Sequence, residues 1–215
     1  MAARETDPKE RLLDEAEALF AENGYHAVSV REITAAAGCN LAAINYHFGN
    51  KRNLYLEVFR TRWLARARVI QERVYETLQN KKEITPPALI RALAEAFLFG
   101  PMSEKDRLRH VQLMQREVIQ PTEAFEMVMD QVMKPFLGAL GERIRPYLPA
   151  GTDQERLMLN ALSIISLILY FNFGRESVKR ITGRAYDQAF REELIRHIVR
   201  FTTTGLGLGA GENAS

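Results

Sequence analysis

A chain of 215 residues, 47% hydrophobic and 26% charged, has material for one core or two small ones and the charge content of an ordinary globular protein. A formal net charge of +2 and a pI near 8.7 exclude no class of partner, but the single cysteine, Cys39, excludes an intrachain disulfide and fits a reducing cytoplasm. The first residues are polar and acidic, unlike a signal peptide. The longest mostly apolar run, Leu157 to Phe173, is interrupted by Asn160, Ser163, Ser166 and Asn172 and falls short of the ~20 predominantly apolar residues of a membrane span. A cytoplasmic protein with no membrane partner is the expectation.

Residues 1 to 6 read as a disordered arm. Asp7 is an N-cap, Pro8 suits the first helical position, and Glu10 stands where a capping box needs it, so a helix is predicted to about Asn23. Its core face is Leu12, Leu13, Ala16, Leu19 and Phe20. Its other face, with Glu10, Asp14, Glu15, Glu17 and Glu22, is acidic and would be repelled by a phosphate backbone.

Ser29 and Glu32 form a second capping-box pattern, and Val30, Ile33 and Ala37 share one face of the short helix that follows. Gly38 ends it, because glycine tolerates the left-handed backbone that closes a helix. Asn40 caps the next helix, Leu41 to His47, whose buried face is Ile44 and Phe48. Small residues (Ala35, Ala36, Ala42, Ala43) allow close approach of the pair. This is either a helix-turn-helix, whose second helix enters the DNA major groove, or a plain hairpin of helices in a bundle; spacing leaves both open.

Asn50 caps a long amphipathic helix to about Leu78, carrying Leu54, Val58, Trp63 and Leu64. Further helices are predicted at about 87 to 99, 104 to 119, 122 to 145 with a kink at Pro135, 153 to 173 behind a Thr152–Glu155 capping box, and 185 to 203. The segment Arg175 to Arg184 is charged. The glycine-rich end has no flanking strand and helix, and Ala210 stands where a nucleotide loop needs its third glycine. No strand pattern occurs anywhere. The fold class is therefore all-α, with a disordered tail over 205–215.

The block around residues 8 to 60 resembles the DNA-binding domain of the TetR family of bacterial regulators. The matching features are Gly24-Tyr25, Val30-Arg31-Glu32-Ile33, Ala36-Ala37-Gly38, Asn45-Tyr46-His47-Phe48 and Lys51. Asn45 stands at a frequent tyrosine position of the family and Leu41 at a commonly polar one, departures that bear on which operator is read. In the second half, Arg116-Glu117, Pro121 to Phe125, Lys134-Pro135 and Ser163 to Val178 resemble the CecR-like subgroup. The resemblance implies a helix-turn-helix domain over 1–50 and a helical bundle for ligand binding and dimerisation over 51–204. It also implies a ligand-responsive homodimer, a repressor, on a palindromic double-stranded DNA operator.

The candidate DNA-binding residues are Arg31, Asn40, Leu41, Ala42, Ala43, Asn45, Tyr46, His47 and Lys51. Asn45 suits a bidentate pair with adenine, and Leu41 and Ala42 suit thymine methyls. Arg31, by the resemblance, reaches guanine or a phosphate. His47 can reach DNA from the end of the helix. Lys51 and Tyr46 suit phosphates, with core packing the other reading for Tyr46. Basic residues outnumber acids from Gly24 to Arg68, although Arg62 to Arg68 also reads as a solvated helix face. The candidate effector residues are Phe97, His110, Met114, Met127, Met133, Phe136, Leu169, Tyr170 and Phe173, either plain core or walls of a pocket for a mostly apolar small molecule. Arg116 and Glu117 read as a buried pair or as solvated charges. No catalytic constellation, metal-ligand spacing or cofactor motif is present, so neither an enzyme nor a cofactor is expected. A competing reading keeps the helical dimer and its small molecule but drops specific DNA binding, on the ground that Leu41, Ala42, Ala43 and Ile44 are weakly polar.

Overall fold

The computed structural model describes residues 7–79, 81–100 and 102–208. The arm at 1–6 and residues 209–215 of the expected tail lie outside them. Every regular element among the described residues is helical, and they divide into two compact units. The first comprises the described residues up to Ala67 with Met102–Gln131; the second comprises the rest. The first unit thus extends past residue 50 and includes two later helices.

In the first unit, α1 (Pro8–Asn23) begins at Asp7, whose carboxylate accepts from the Lys9 N–H at 3.1 Å. The expected box with Glu10 is replaced, because Glu10 instead meets Arg62 at 2.6 Å. Helix α2 (Val30–Ala36) has both halves of its box: the Glu32 N–H donates to Ser29 Oγ at 3.2 Å and the Ser29 N–H to Glu32 Oε2 at 2.7 Å. Gly38 closes it at φ +61°, in the left-handed region. Helix α3 (Leu41–Phe48) starts at Asn40, whose side-chain oxygen accepts from the Ala43 N–H at 3.0 Å. Helix α4 (Lys51–Val58) passes through a π-helical turn, Phe59–Trp63, into α5 (Leu64–Gln79). Leu12, Leu13, Phe20, Ile33, Ile44, Leu54 and Phe59 make the core of this unit, each almost fully buried.

Helix α7 (Glu104–Ile119) packs along α1, and α8 (Glu123–Val128) opens at Thr122 and touches α4. The acidic side of α1 packs against arginines from later in the chain. Glu17 is buried and paired with Arg66 and with Arg109, the latter at 3.3 Å; Arg66 also holds Asp106 at 2.7 Å. Arg62 bridges Glu10 and Asp14. Arg62 and Arg66 are therefore neither phosphate-facing nor a solvated stripe, because neighbouring carboxylates already hold them. Arg116 and Glu117 do not pair. Glu117 is buried and accepts from the Tyr55 hydroxyl at 2.5 Å and the Thr122 N–H at 2.9 Å, while exposed Arg116 donates to the Glu22 carbonyl.

The second unit contains α6 (Pro86–Leu98), α9 (Lys134–Ile144), α10 (Gln154–Phe173), α11 (Arg175–Thr182) and α12 (Gln188–Gly205). Helix α6 packs on α12 and α10, and α9 packs on α10. At Gly141 a β-carbon would come within 3.0 Å of the Leu157 side chain, so glycine is what lets α9 approach α10. The expected kink at Pro135 takes another form. A π-helical turn, Met129–Met133, precedes α9, and Pro135 falls in the first turn of that helix. Helical backbone is continuous from Glu123 to Ile144, and the wider π-helical turn just before Pro135 accommodates a residue that has no N–H to donate. Asp153, not Thr152, caps α10, because the Thr152 hydroxyl donates to the Pro149 carbonyl instead. The charged segment after Gly174 is itself helical, as α11. Gly205 ends α12, and Leu208 beyond it is buried.

Helix α10 has 20 residues with a mean hydropathy of 1.5 over its most apolar window, long and apolar enough to cross a membrane despite its polar interruptions. One side, with Leu157, Ala161, Ile164, Ile165 and Ile168, is in the core of the unit; the other exposes Leu159, Leu162, Ser163, Ser166 and Tyr170. On α12, Phe190, Leu194 and Ile198 are likewise core residues, and Phe201 is 61% exposed.

Candidate DNA-reading site

The local sequence of α3 produces a two-sided helix. Ile44 is fully buried and Phe48 is 8% exposed, which anchors one side; Leu41, Ala42, Asn45 and Tyr46 are exposed on the other. Tyr46 is 85% exposed, which rules out the core-packing alternative for it. Ala43 and His47 are half-buried at the flank, and the His47 and Tyr46 rings meet edge-on at 4.9 Å. Asn40 is exposed with its oxygen committed to the helix cap. Arg31 is exposed near the start of α2.

Lys51 begins α4, and its ammonium lies 4.5 Å from the centroid of the Tyr25 ring. Partial desolvation lowers the Lys51 pKa, and the nearby Glu32 carboxylate works the other way. The Glu32 carboxyl is itself held below its ordinary value by its hydrogen bonds to Ser29. Half-buried Tyr25 leans on buried Tyr55 at 4.8 Å, so the lysine stands on an aromatic pair. Arg52, next in sequence, is bound to Glu123 of α8. Sequence reasoning missed Tyr25 and Tyr55 as supports and Glu17 as a buried charge. The spacing of Leu13, Ala16, Glu17 and Phe20 on one helical face was the available signal for Glu17.

The nine candidate effector residues fall in both units. His110, Met114 and Met127 belong to the first; Phe97, Met133, Phe136, Leu169, Tyr170 and Phe173 belong to the second. His110 is buried, and Tyr170 is 54% exposed on the open side of α10, so its ring is not enclosed within the chain. A cavity of about 320 Å³ in the second unit is lined by Leu148 to Asp153, Arg156, Asn160, Gly205 and Leu206, none of them a predicted effector residue. Among the described residues no group of three His, Cys, Asp or Glu side chains is placed to hold a metal ion.

An exposed α3 beside a lysine at the next helix start is the arrangement of a helix-turn-helix DNA-binding regulator. The model of bacterial regulatory proteins of the tetR family matches residues 12–58, and that of the C-terminal domain of the HTH-type transcriptional dual regulator CecR matches residues 86–206. The chain belongs to the TetR family, with a CecR-like C-terminal part, and is a transcriptional regulator and not an enzyme. It is 30% identical to the dual regulator CecR of Shigella flexneri over 208 residues, 93% of this chain and 91% of the relative. It is 37% identical to the transcriptional repressor AcnR of Corynebacterium glutamicum over 67 residues, 31% of this chain and 36% of that one. The fatty acid degradation regulator FadR from Bacillus halodurans shares the fold with a TM-score of 0.62 at 16% identity, over 99% of this chain and 100% of that one.

Proposed function

We propose that this regulator acts as a homodimer on a palindromic operator and leaves it when a mostly apolar small molecule binds. In this reading residues 1–50 read DNA, residues 51–204 hold the effector and the dimer contact, and the end of the chain is a tail. One observation carries the DNA half: α3 turns Leu41, Ala42, Asn45 and Tyr46 outward while Ile44 and Phe48 anchor it. A helix held that way presents one amide for adenine, apolar groups for thymine methyls and a phenol for phosphate. The competing reading, a small-molecule binder without specific DNA contact, rested on a weakly polar α3. Exposed Asn45 and Tyr46 beside Lys51 count against it.

Dimerisation is supported by the open side of α10, where Leu159, Leu162 and Tyr170 stand exposed around Ser163 and Ser166. Such a face suits pairing with its own copy about a twofold axis. Repression is the mode proposed because a bound dimer blocks transcription by occupancy alone, whereas activation needs a further contact. Effector binding would favour a head spacing that no longer fits two half-sites, a shift between populated states. Selection from random duplex DNA tests the reading. An inverted repeat should be enriched and bound by two chains. Enrichment of no sequence, or of a site without inverted symmetry, defeats it.

A further inference from the structure

The first unit holds a buried polar atom that the DNA-reading face does not use. His110 of α7 is 8% exposed, and its Nδ1 has no hydrogen-bond partner among the described residues. The ring lies flat on Trp63, with centroids 4.4 Å apart and planes 10° apart. The indole N–H of Trp63 donates to the His110 carbonyl at 3.0 Å, so the two residues are fastened through ring and backbone together. A desolvated nitrogen without a partner is unfavourable, and an apolar ring of the same shape would avoid that penalty.

A second observation concerns what Trp63 touches. Its ring stacks on Phe59 at 6.4 Å; Phe59 meets Tyr55 at 5.2 Å; Tyr55 meets Tyr25 at 4.8 Å; and the Lys51 ammonium stands over Tyr25 at 4.5 Å. An unbroken row of aromatic rings therefore runs from His110 to the lysine at the DNA-reading face. Phe59 and Trp63 are the two ends of the π-helical turn. A π turn carries one residue more than an α turn, and such turns occur frequently at functional sites. Conversion to an α turn would shift which residues of α4 face inward.

We propose that His110 reads the effector, that the effector is an uncharged apolar molecule carrying a hydroxyl group, and that Trp63 and the π-helical turn relay its binding to Lys51. The proposal rests on the ligand-responsive reading above and names the ligand chemistry and one contact. A neutral imidazole donates from one nitrogen and accepts at the other. A hydroxyl does both, so it satisfies Nδ1 in either tautomer. Burial keeps the ring neutral, so it offers an anion no charge. The nearby arginines are already engaged, Arg66 and Arg109 both on Glu17.

The sole tryptophan makes the test direct, because Trp63 emission reports the stack. Full-length protein is titrated with 4-ethylphenol and 1-naphthol, and with ethylbenzene and naphthalene, which keep the frames and lack the hydroxyl. At least one hydroxyl probe should change Trp63 emission, bind about tenfold tighter than its hydrocarbon partner, and weaken operator binding. His110→Phe keeps a flat ring and removes both nitrogens. It should abolish the hydroxyl preference and the release of operator by the hydroxyl probe, and melt no lower than wild type at neutral pH.

Equal binding of the paired probes, a preference that survives in His110→Phe, or no emission change with any probe overturns the proposal. So does a melting temperature several degrees lower in His110→Phe, which would mark a structural hydrogen bond. If another compound releases operator from wild type and His110→Phe alike, His110 is not the reader and the regulator reading stands. If wild type selects no operator, it is the regulator reading that fails.

Discussion

Burial and, secondarily, the charge of Arg66 lower the pKa of His110 from 6.5 to about 3. In the unfolded chain the same ring titrates near its ordinary value. Between those values the unfolded state therefore holds a proton that the folded state does not. The linked stability is at its full value above pH 6.5 and is lost progressively as pH falls toward 3. At pH 5 the loss from this one residue is ~2 kcal/mol, given the unperturbed value of 6.5. Calorimetry of wild type and His110→Phe between pH 7.5 and pH 5 should show the wild-type melting temperature falling more steeply; parallel curves would mean that His110 titrates as an exposed residue. At the DNA face the two leading residues differ in kind. Lys51 offers a point charge, so Lys51→Ala should weaken binding about equally on all sequences and reduce the salt slope by about one unit per phosphate contact. Asn45 offers a directional amide, so Asn45→Ala should relax one base-pair preference at ~1–3 kcal/mol per half-site. Gel shifts on operator and scrambled DNA at several salt concentrations separate the two effects.

Among the elements, the short helices of the head depend most on their ends. Helix α2 has seven residues, too few to be stable in isolation, and both halves of its capping box are formed. Ser29→Ala should cost about 1 kcal/mol in urea unfolding, with the spectrum of the folded state unchanged. A neutral result would mean that packing of Ile33 alone holds α2. The boundaries of this helix and of α3 were legible because capping is local: Ser29, Glu32, Gly38 and Asn40 act within a few residues of themselves. The box at Asp7 and the cap at Thr152 were misread for the opposite reason. Glu10 found Arg62, distant in sequence, and the Thr152 hydroxyl turned back to Pro149. The π-helical turns left no mark in the apolar spacing, since one added residue looks like ordinary scatter around a period of 3.6.

At the scale of the whole molecule, α10 has one apolar side that its own unit leaves exposed. Ile164 is fully buried in its own unit, so Ile164→Glu should place a carboxylate in the core and cost several kcal/mol of stability. Leu162 is 40% exposed among Leu159, Ser163 and Ser166, so Leu162→Glu should leave the fold intact and release monomers. Sedimentation equilibrium at micromolar concentration checks this. A dimeric Leu162→Glu protein would move the seam elsewhere, and a monomeric wild type would remove the dimer. Operator affinity should drop when dimerisation is lost, because the second head no longer binds at the effective concentration set by the first.

The all-α class and the bounds of α2 and α3 were determined by the sequence itself. They follow from period, caps and glycine position, which act over a few residues. The family followed as well, from an ordered run of motifs between Gly24 and Lys51. Tertiary structure decided which charges are used and which side of each helix is free. Glu17, Arg62 and Arg66 read as surface groups, yet they find partners 40 or more residues away, as in Arg66–Asp106 and Arg66–Glu17. Helix α10 is apolar on nearly every side, so its pattern alone could not say which side faces the core; Ile164 went inward and Leu162 stayed out. His110 was visible as a residue, but its unpartnered nitrogen and the aromatic row to Lys51 were not. Both arise where α7 packs against the π-helical turn, and such contacts between distant segments leave no periodic trace in a sequence.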